Sequence, residues 1–154
     1  MKMTKFMTAP AVALMFVFFS FNVLAQTYAE AQSNMTIDHQ SIMKHANAIT
    51  SGAAKNVNDQ IMHYNEARKS FADAKKLHTL LKRSIPKKAQ SAAIVHHDII
   101  DKQHIIATSL ANAMAAELRN ESTNDAKLKE LAKKFYDAIN IAEKEHLELI
   151  KDTK

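Results

Sequence analysis

The scarcity of residues that interrupt helices most constrains the fold of this chain. Its 154 residues include one glycine, Gly52, and two prolines, Pro10 and Pro86. Alanine, lysine, leucine and glutamate are abundant, and these residues lose little side-chain freedom in a helix. The alternating β-branched and aromatic residues that mark strands are missing. The sequence therefore predicts an all-α protein.

Apolar residues recur at helical spacing in four segments, so each segment has one face to bury. We expect helices at about 36–51, 58–83, 86–119 and 125–151. Because the three connections are short, neighbouring helices are expected to run antiparallel. The prediction is an antiparallel up-down-up-down four-helix bundle with a short first helix, spanning residues 36–152. A three-helix arrangement with the first helix loosely docked is the alternative, and the polar residues 26–35 are expected to form a flexible tail.

Residues 1–25 have the pattern of a signal peptide. Lys2 and Lys5 precede an apolar run that ends in Val23, Leu24 and Ala25, which suits cleavage after Ala25. The uninterrupted apolar stretch is far shorter than the ~20 residues that cross a bilayer. We therefore expect a periplasmic or secreted protein without stable membrane insertion.

Charge and cysteine content narrow the partners and cofactors. Removing the two lysines of the predicted signal peptide lowers the net charge from +5 to +3, and export further disfavours a nucleic-acid partner. Cysteine is absent, which rules out disulfides, thiolate metal ligands and thiol catalysis.

All eight histidines lie after residue 25, and their positions are informative. His63 and His78 fall on the apolar face of the second helix, His96 on that of the third and His146 on that of the fourth. The face expected to be buried in the third helix consists of Ala92, Val95, Ile99, Ile106, Leu110 and Ala113.

Three of these histidines are expected at one level of the bundle. With a rise of ~1.5 Å per residue, His78 and His146 each lie about 31 Å above the start of their helices, and His96 about 35 Å above the end of its helix. A tetrahedral metal ion takes three imidazoles and a water or carboxylate. Because imidazole suits copper, zinc and nickel, His78, His96 and His146 form the principal predicted metal site.

Two weaker sites are also predicted. His45 and His63 are expected to face each other across the first interhelical turn. The other site is formed by three residues of the third helix at i, i+4 and i+7, a spacing that places their side chains on one face. His39 of the first helix is expected at the level of the third of these residues. These three residues are His97, Asp101 and His104. The alternatives are histidines that are hydrogen-bonded to neighbours in the core or, for the second set, a solvated helix edge.

Residues 42–52 and 59–67 resemble the helical hairpin of the small metal-binding protein family. The shared features are the K-H-A unit that contains His45 and the H-x-x-x-A unit that begins at His63. The resemblance covers about residues 42–75 and implies a periplasmic, histidine-rich four-helix bundle that binds divalent metal, copper especially. It carries over only His45 and His63, and the chain departs from the family by having fewer histidines and a longer third helix.

The sequence thus predicts an exported metal-binding protein that scavenges or buffers copper, zinc or nickel. The alternative is a non-catalytic interaction protein of the envelope: a chaperone, an inhibitor or immunity protein, or a secreted effector with an envelope protein as partner. A b-type haem bundle with His96 or His146 and a methionine as axial ligands is a further rival.

No enzymatic activity is expected. Glycine-rich phosphate loops and nucleophile motifs are missing. Glu143 and His146 form one Glu-x-x-His unit, whereas di-iron carboxylate bundles use two.

Overall fold

The computed structural model describes residues 10–85, 87–120 and 122–153, with side chains from Tyr28 onward apart from that of Lys88. These residues form four helices and no strand: α1 Pro10–Thr50, α2 Val57–Arg83, α3 Gln90–Leu118 and α4 Asp125–Asp152. A single 3-10 turn, Lys87–Ala89, precedes α3. The predicted all-α four-helix bundle is confirmed. Residues 1–9 of the predicted signal peptide and Pro86 lie outside the described residues, and for 10–25 only the backbone is described.

Cross-helix contacts define the arrangement of the bundle. α1 packs against α2 and α4, α3 packs against α4, and α2 and α3 approach each other at fewer positions. Partners occur in opposite chain order, since Ser41 bonds Ser70 while His45, further along α1, meets His63, earlier in α2. Consecutive helices are therefore antiparallel. Within the described segments, no helix is both long enough and apolar enough to span a bilayer.

Local sequence sets the helix ends. Gly52 adopts a φ of 77° just after α1, a conformation that glycine reaches without strain. The side chain of Asn56 accepts a hydrogen bond from the amide of Asp59 and so caps α2. Asn124 caps α4 in the same way through the amide of Lys127, as the polar stretch 120–124 predicts.

The first helix is longer than the predicted 36–51, and the tail expected at 26–35 is not what the structure shows. Helix α1 runs through these residues, and Ala31 and Met35 are buried. Their neighbours include Leu81 and Leu149 in one apolar cluster. A few apolar residues at helical spacing thus bury a segment whose composition is mostly polar.

The buried face of α3 differs from the predicted one by about one residue. The residues that face the core are Ala93, His97, Ile100, His104, Ala107, Ala111 and Met114. Larger apolar side chains such as Ile94 and Ile105 are more than half exposed. Because α3 carries apolar residues on nearly every side, their spacing does not identify the face that packs, and alanines allow closer approach than isoleucines.

Two apolar clusters surround a group of buried polar side chains, here called the polar layer. The larger includes Ile49, Phe71 and Phe135, and the smaller includes Met35 and Leu81. Between them, each helix contributes buried histidine, and α4 also contributes buried glutamate. The fold therefore brings titratable side chains from all four helices to one level.

Replacement of Met35 by alanine tests whether the start of the first helix belongs to the core. Met35 is fully buried, so Met35→Ala should lower the free energy of unfolding by about 2–5 kcal/mol. Ile37→Ala, at a position 58% exposed, is the control and should change it by less than about 0.5 kcal/mol. Urea denaturation followed by circular dichroism measures both, and equal effects would show that the segment is not packed.

Candidate metal centre

Five histidines fill the polar layer, and none is more than 4% exposed. α3 supplies two of them, and each other helix supplies one. They are His39, His78, His97, His104 and His146. Their rings are close, since His104 lies 5.6 Å from His39 and 5.3 Å from His78 between ring centroids. Imidazoles from separate helices therefore converge inside the bundle.

The ring of His39 is oriented by a carboxylate. Its Nδ1 lies 2.7 Å from Oε2 of Glu143, and its Nε2 lies 3.3 Å from Nε2 of His104. Burial raises the pKa of Glu143 to about 7, so above neutral pH the carboxylate accepts the Nδ1–H bond. That bond leaves Nε2 of His39 as a bare nitrogen directed at His104.

His78 repeats this arrangement on the other side of the layer. Its Nδ1 lies 3.1 Å from Oδ1 of Asp101, and its Nε2 lies 2.8 Å from Nδ1 of His97. Burial alone would raise the pKa of Asp101, but Lys82 and His78 outweigh it and hold that pKa below the ordinary value. The ionised Asp101 therefore favours the tautomer of His78 with the proton on Nδ1, although the two groups are not aligned for a hydrogen bond, and His97 then donates to the bare Nε2.

Two buried ring nitrogens then have no hydrogen-bond partner. His97 uses Nδ1 as a donor, and its Nε2 is unpartnered. His146 donates from Nε2 to the carbonyl of Gln32 at 2.9 Å, and its Nδ1 is unpartnered. The ring centroid of His146 lies 6.1 Å from that of His39. A bare nitrogen next to the His39–His104 pair is a potential metal ligand.

Burial keeps these rings neutral. It lowers the pKa of His39 and His97 to about 4, and that of His78 and His104 to about 3. The pKa of His146 is also lowered, again mainly by burial. Neutral imidazole is the form that binds metal. At neutral pH the layer therefore requires no deprotonation of imidazolium before a cation binds.

The placement predicted for His96 is wrong. Its Nδ1 lies 2.9 Å from Oε2 of Glu145 and its Nε2 lies 3.1 Å from Oδ2 of Asp152, at the surface between α3 and α4. Burial lowers the pKa of His96, but these two carboxylates outweigh it and raise that pKa above its ordinary value. Its neighbour His97 points inward, because the buried face of α3 is displaced by one residue.

The two weaker predicted groupings have different outcomes. His45 and His63 do face each other across the α1–α2 turn, with 2.9 Å between their Nδ1 atoms, and both are half-buried. The set on α3 is not a solvated edge, since His97 and His104 are buried and only Asp101 is half-exposed.

His39 is central to the layer but was expected only to reach the level of His104. Its spacing from Ile42, Ala46 and Ile49 follows the helical period and marks it as a core position. The assignment of nearby residues 26–35 to a tail hid this signal.

Two openings between α2 and α3 reach the layer. One is a cavity of about 210 Å³, and its lining includes His78, Asp101 and His104. The other, of about 360 Å³, is lined by residues that include His97 and Lys82. Lys82 and Asp101 form an ion pair that joins the two helices between these openings. Solvent can therefore approach the histidines along this seam.

Among the described residues, no group of three histidine, aspartate or glutamate side chains is arranged to hold a metal ion as it stands. The His39–His104 pair offers two nitrogens, and within the described part of the chain no third side chain lies in place beside them. A scan against protein-family models and searches of curated proteins and solved structures find no match to this chain. Functional inference consequently depends on the geometry of the histidine layer.

The buried histidines predict a steep dependence of stability on pH in the metal-free protein. As the pH falls below about 6.5, histidines of the unfolded chain take up protons, whereas the folded rings with pKa values of about 3 or 4 stay neutral. Stability is therefore present above pH 6.5 and is lost toward pH 4, by about 1.4 kcal/mol per pH unit for each ring. Denaturant melts with chelator at several pH values measure the slope.

Two variants distinguish the contribution of the buried rings to this pH dependence from that of the surface histidine His96. His104→Leu should reduce that slope by about 1.4 kcal/mol per pH unit. His96→Gln should not reduce the slope, because the pKa of His96 is raised rather than lowered in the folded protein. The stabilisation by His96 is therefore present at low pH and is lost as the pH rises through its folded-state pKa. A free energy of unfolding that is independent of pH between 7 and 5 would contradict the neutral layer.

Proposed function

We propose that this chain is a non-catalytic metal-binding protein of the cell envelope that sequesters copper, zinc or nickel within its bundle. The ligands proposed for the ion are His39, His104 and His146. The observation that carries the proposal is the 3.3 Å separation of the Nε2 atoms of His39 and His104 inside the core. The expected signal peptide at 1–25 supports the location.

That separation is a long hydrogen bond in the metal-free layer, and it also matches a pair of metal ligands once the proton of His104 moves from Nε2 to Nδ1. Two nitrogens about 2.0–2.1 Å from a tetrahedral zinc ion lie roughly 3.3–3.4 Å apart. A hydrogen bond from ring N–H most often spans about 2.9–3.0 Å. The two rings, from α1 and α3, are thus held near ligand spacing before any ion arrives, and this spacing favours zinc.

His146 is the third ligand that the layer offers. Its Nδ1 is buried and unpartnered, while Nε2–H is held by the Gln32 carbonyl. A second hydrogen bond of this kind fixes the tautomer of a ligating histidine in metal sites, and so does the bond from His39 to Glu143. Glu143 also supplies negative charge beside a divalent ion. A small movement of the His146 ring and a water molecule would complete four ligands.

The energetic balance of the core supports a ligand. A buried polar atom without a hydrogen-bond partner costs about 1–3 kcal/mol, and the layer contains such atoms on His97 and His146. Leucine at these positions would remove that cost. A bound cation removes it at His146, because the bare Nδ1 then gains a partner.

The family resemblance supports the same class of ligand from a different part of the chain. It spans about residues 42–75, and all five buried histidines lie outside that range. The His45–His63 pair within it, with Nδ1 atoms 2.9 Å apart, offers a half-buried site that is separate from the core.

One observation favours the alternative of an interaction protein. α3 exposes at least 40% of each of four large apolar side chains. These are Ile94, Val95, Ile105 and Ile106. Exposed apolar surface of this kind is typical of contacts with other proteins, so the test below has to separate the two functions.

Thermal melts of metal-free protein with and without added zinc, copper or nickel test the proposal. A ligand present at about 100 times its Kd stabilises by about 2.7 kcal/mol, which is roughly a 10 °C rise in Tm for a domain of this size. His146→Leu and His104→Leu should fold, match or exceed the metal-free Tm of the wild type, and lose most of the rise.

His63→Leu is the matched control, because it removes a histidine outside the layer. This variant should retain most of the rise in Tm. If the melt of the wild-type protein is indifferent to all three metals and none remains bound after desalting, the metal proposal fails and the interaction protein becomes the better account.

A further inference from the structure

The carboxylate-x-x-His spacing occurs twice in the polar layer. α4 carries Glu143 three residues before His146, and α3 carries Asp101 three residues before His104. In four-helix bundles that hold two metal ions, such units on two helices combine with one ligand from each of the other two. Here the other two helices contribute His39 and His78, so histidines stand where those bundles place glutamates.

The two halves of the layer also repeat one pattern of contacts between a carboxylate and two histidines. Nδ1 of His39 faces Glu143 at 2.7 Å, and Nδ1 of His78 faces Asp101 at 3.1 Å. In each half, Nε2 of that ring is directed at a nitrogen of an α3 histidine, at 3.3 Å for His104 and 2.8 Å for His97. A carboxylate that fixes a histidine with Nε2 free is typical of metal ligands.

We propose that His78 and His97, oriented by Asp101, form a second metal site beside the first, so that the layer holds a pair of ions. This inference rests on the proposed function. The unpartnered, buried Nε2 of His97 can take the ring proton from Nδ1, so His97 can present Nδ1 to the ion without any net loss of protons.

The spacing in this half is that of a hydrogen bond in the metal-free layer, and it is also compatible with a different ion. Nitrogens about 2.0–2.1 Å from a metal and at right angles lie roughly 2.9 Å apart, close to the 2.8 Å between His78 and His97. Right-angle coordination is the preference of copper(II) and nickel(II). The site therefore suits copper(II), with two imidazoles from the protein and water in the remaining positions.

This second site is the one that solvent reaches first. His78 and Asp101 line one opening between α2 and α3, and His97 lines the other. Lys82 pairs with Asp101 there, and its side chain is 42% exposed. The ammonium group lies beside the site and opposes a second cation, but it is free to turn outward. Removal of its charge should therefore strengthen binding.

Copper(II) titration of the purified chain in a His63→Leu background tests the inference, because that change removes the separate His45–His63 pair. Bound copper is counted by elemental analysis after desalting and by calorimetry. The parent protein should take up a second equivalent, and its two copper ions should couple magnetically and lower the paramagnetic resonance signal per ion. His78→Leu and His97→Leu should each bind one ion and restore the full signal per ion.

Two lysine variants test the effect of the neighbouring charge on copper binding, and two glutamine variants serve as substitutes for the leucine variants. Lys82→Gln should raise the affinity for the second equivalent, whereas Lys76→Gln, which removes an exposed lysine paired with Asp73, should leave it unchanged. If a leucine variant does not fold by circular dichroism, His78→Gln and His97→Gln take its place with the same expected loss.

The outcomes separate the two proposals. One equivalent that depends on His146, with no second equivalent in the parent, overturns the paired site and leaves the proposed function standing. A second equivalent that persists without His78 also overturns the paired site. Absence of any bound metal overturns both proposals.

Discussion

Five neutral imidazoles in the middle of the core are the constraint on which the rest of this structure depends. They lie among the residues of two apolar clusters. On α3, where the buried face is rich in alanine, the rings of His97 and His104 supply much of the side-chain volume. Because charged imidazolium is costly to bury, the layer is compatible with the folded bundle only in its neutral form. The packing of the core therefore requires that these rings stay unprotonated.

The carboxylates of the layer divide its nitrogens into donors and acceptors. Hydrogen bonds to Glu143 and to the Gln32 carbonyl hold Nδ1–H of His39 and Nε2–H of His146, and Asp101 lies 3.1 Å from Nδ1 of His78. Each of these bonds leaves the other ring nitrogen bare, and the bare nitrogens face inward. An apolar core of the same shape would be more stable. The bundle thus retains a costly polar arrangement whose chemistry suits a divalent cation.

The sequence predicted the fold more fully than the site. On α2 and α4 apolar and polar residues segregate, so His78 and His146 were placed correctly in the core. On α3 isoleucines and valines occur on nearly every side, and the choice between His96 and His97 depended on which face packs against α4. That choice is made by alanines that permit close approach and by the carboxylates that hold His96 at the surface. Both the close packing of the alanines and the carboxylate contacts of His96 depend on how the helices pack together, which the sequence alone does not reveal.

The protonation of the individual ring nitrogens tests this account most directly. Long-range ¹H–¹⁵N spectra of the histidine rings distinguish protonated from bare nitrogens, before and after one equivalent of zinc. At pH 7 to 8 we expect all five buried rings to be neutral, with the proton on Nδ1 in His39 and on Nε2 in His146. Zinc should shift Nε2 of His39 and Nδ1 of His146, and it should shift Nε2 of His104 as the proton of that ring moves to Nδ1. An imidazolium within the layer, or zinc that perturbs only His45 and His63, would contradict the account.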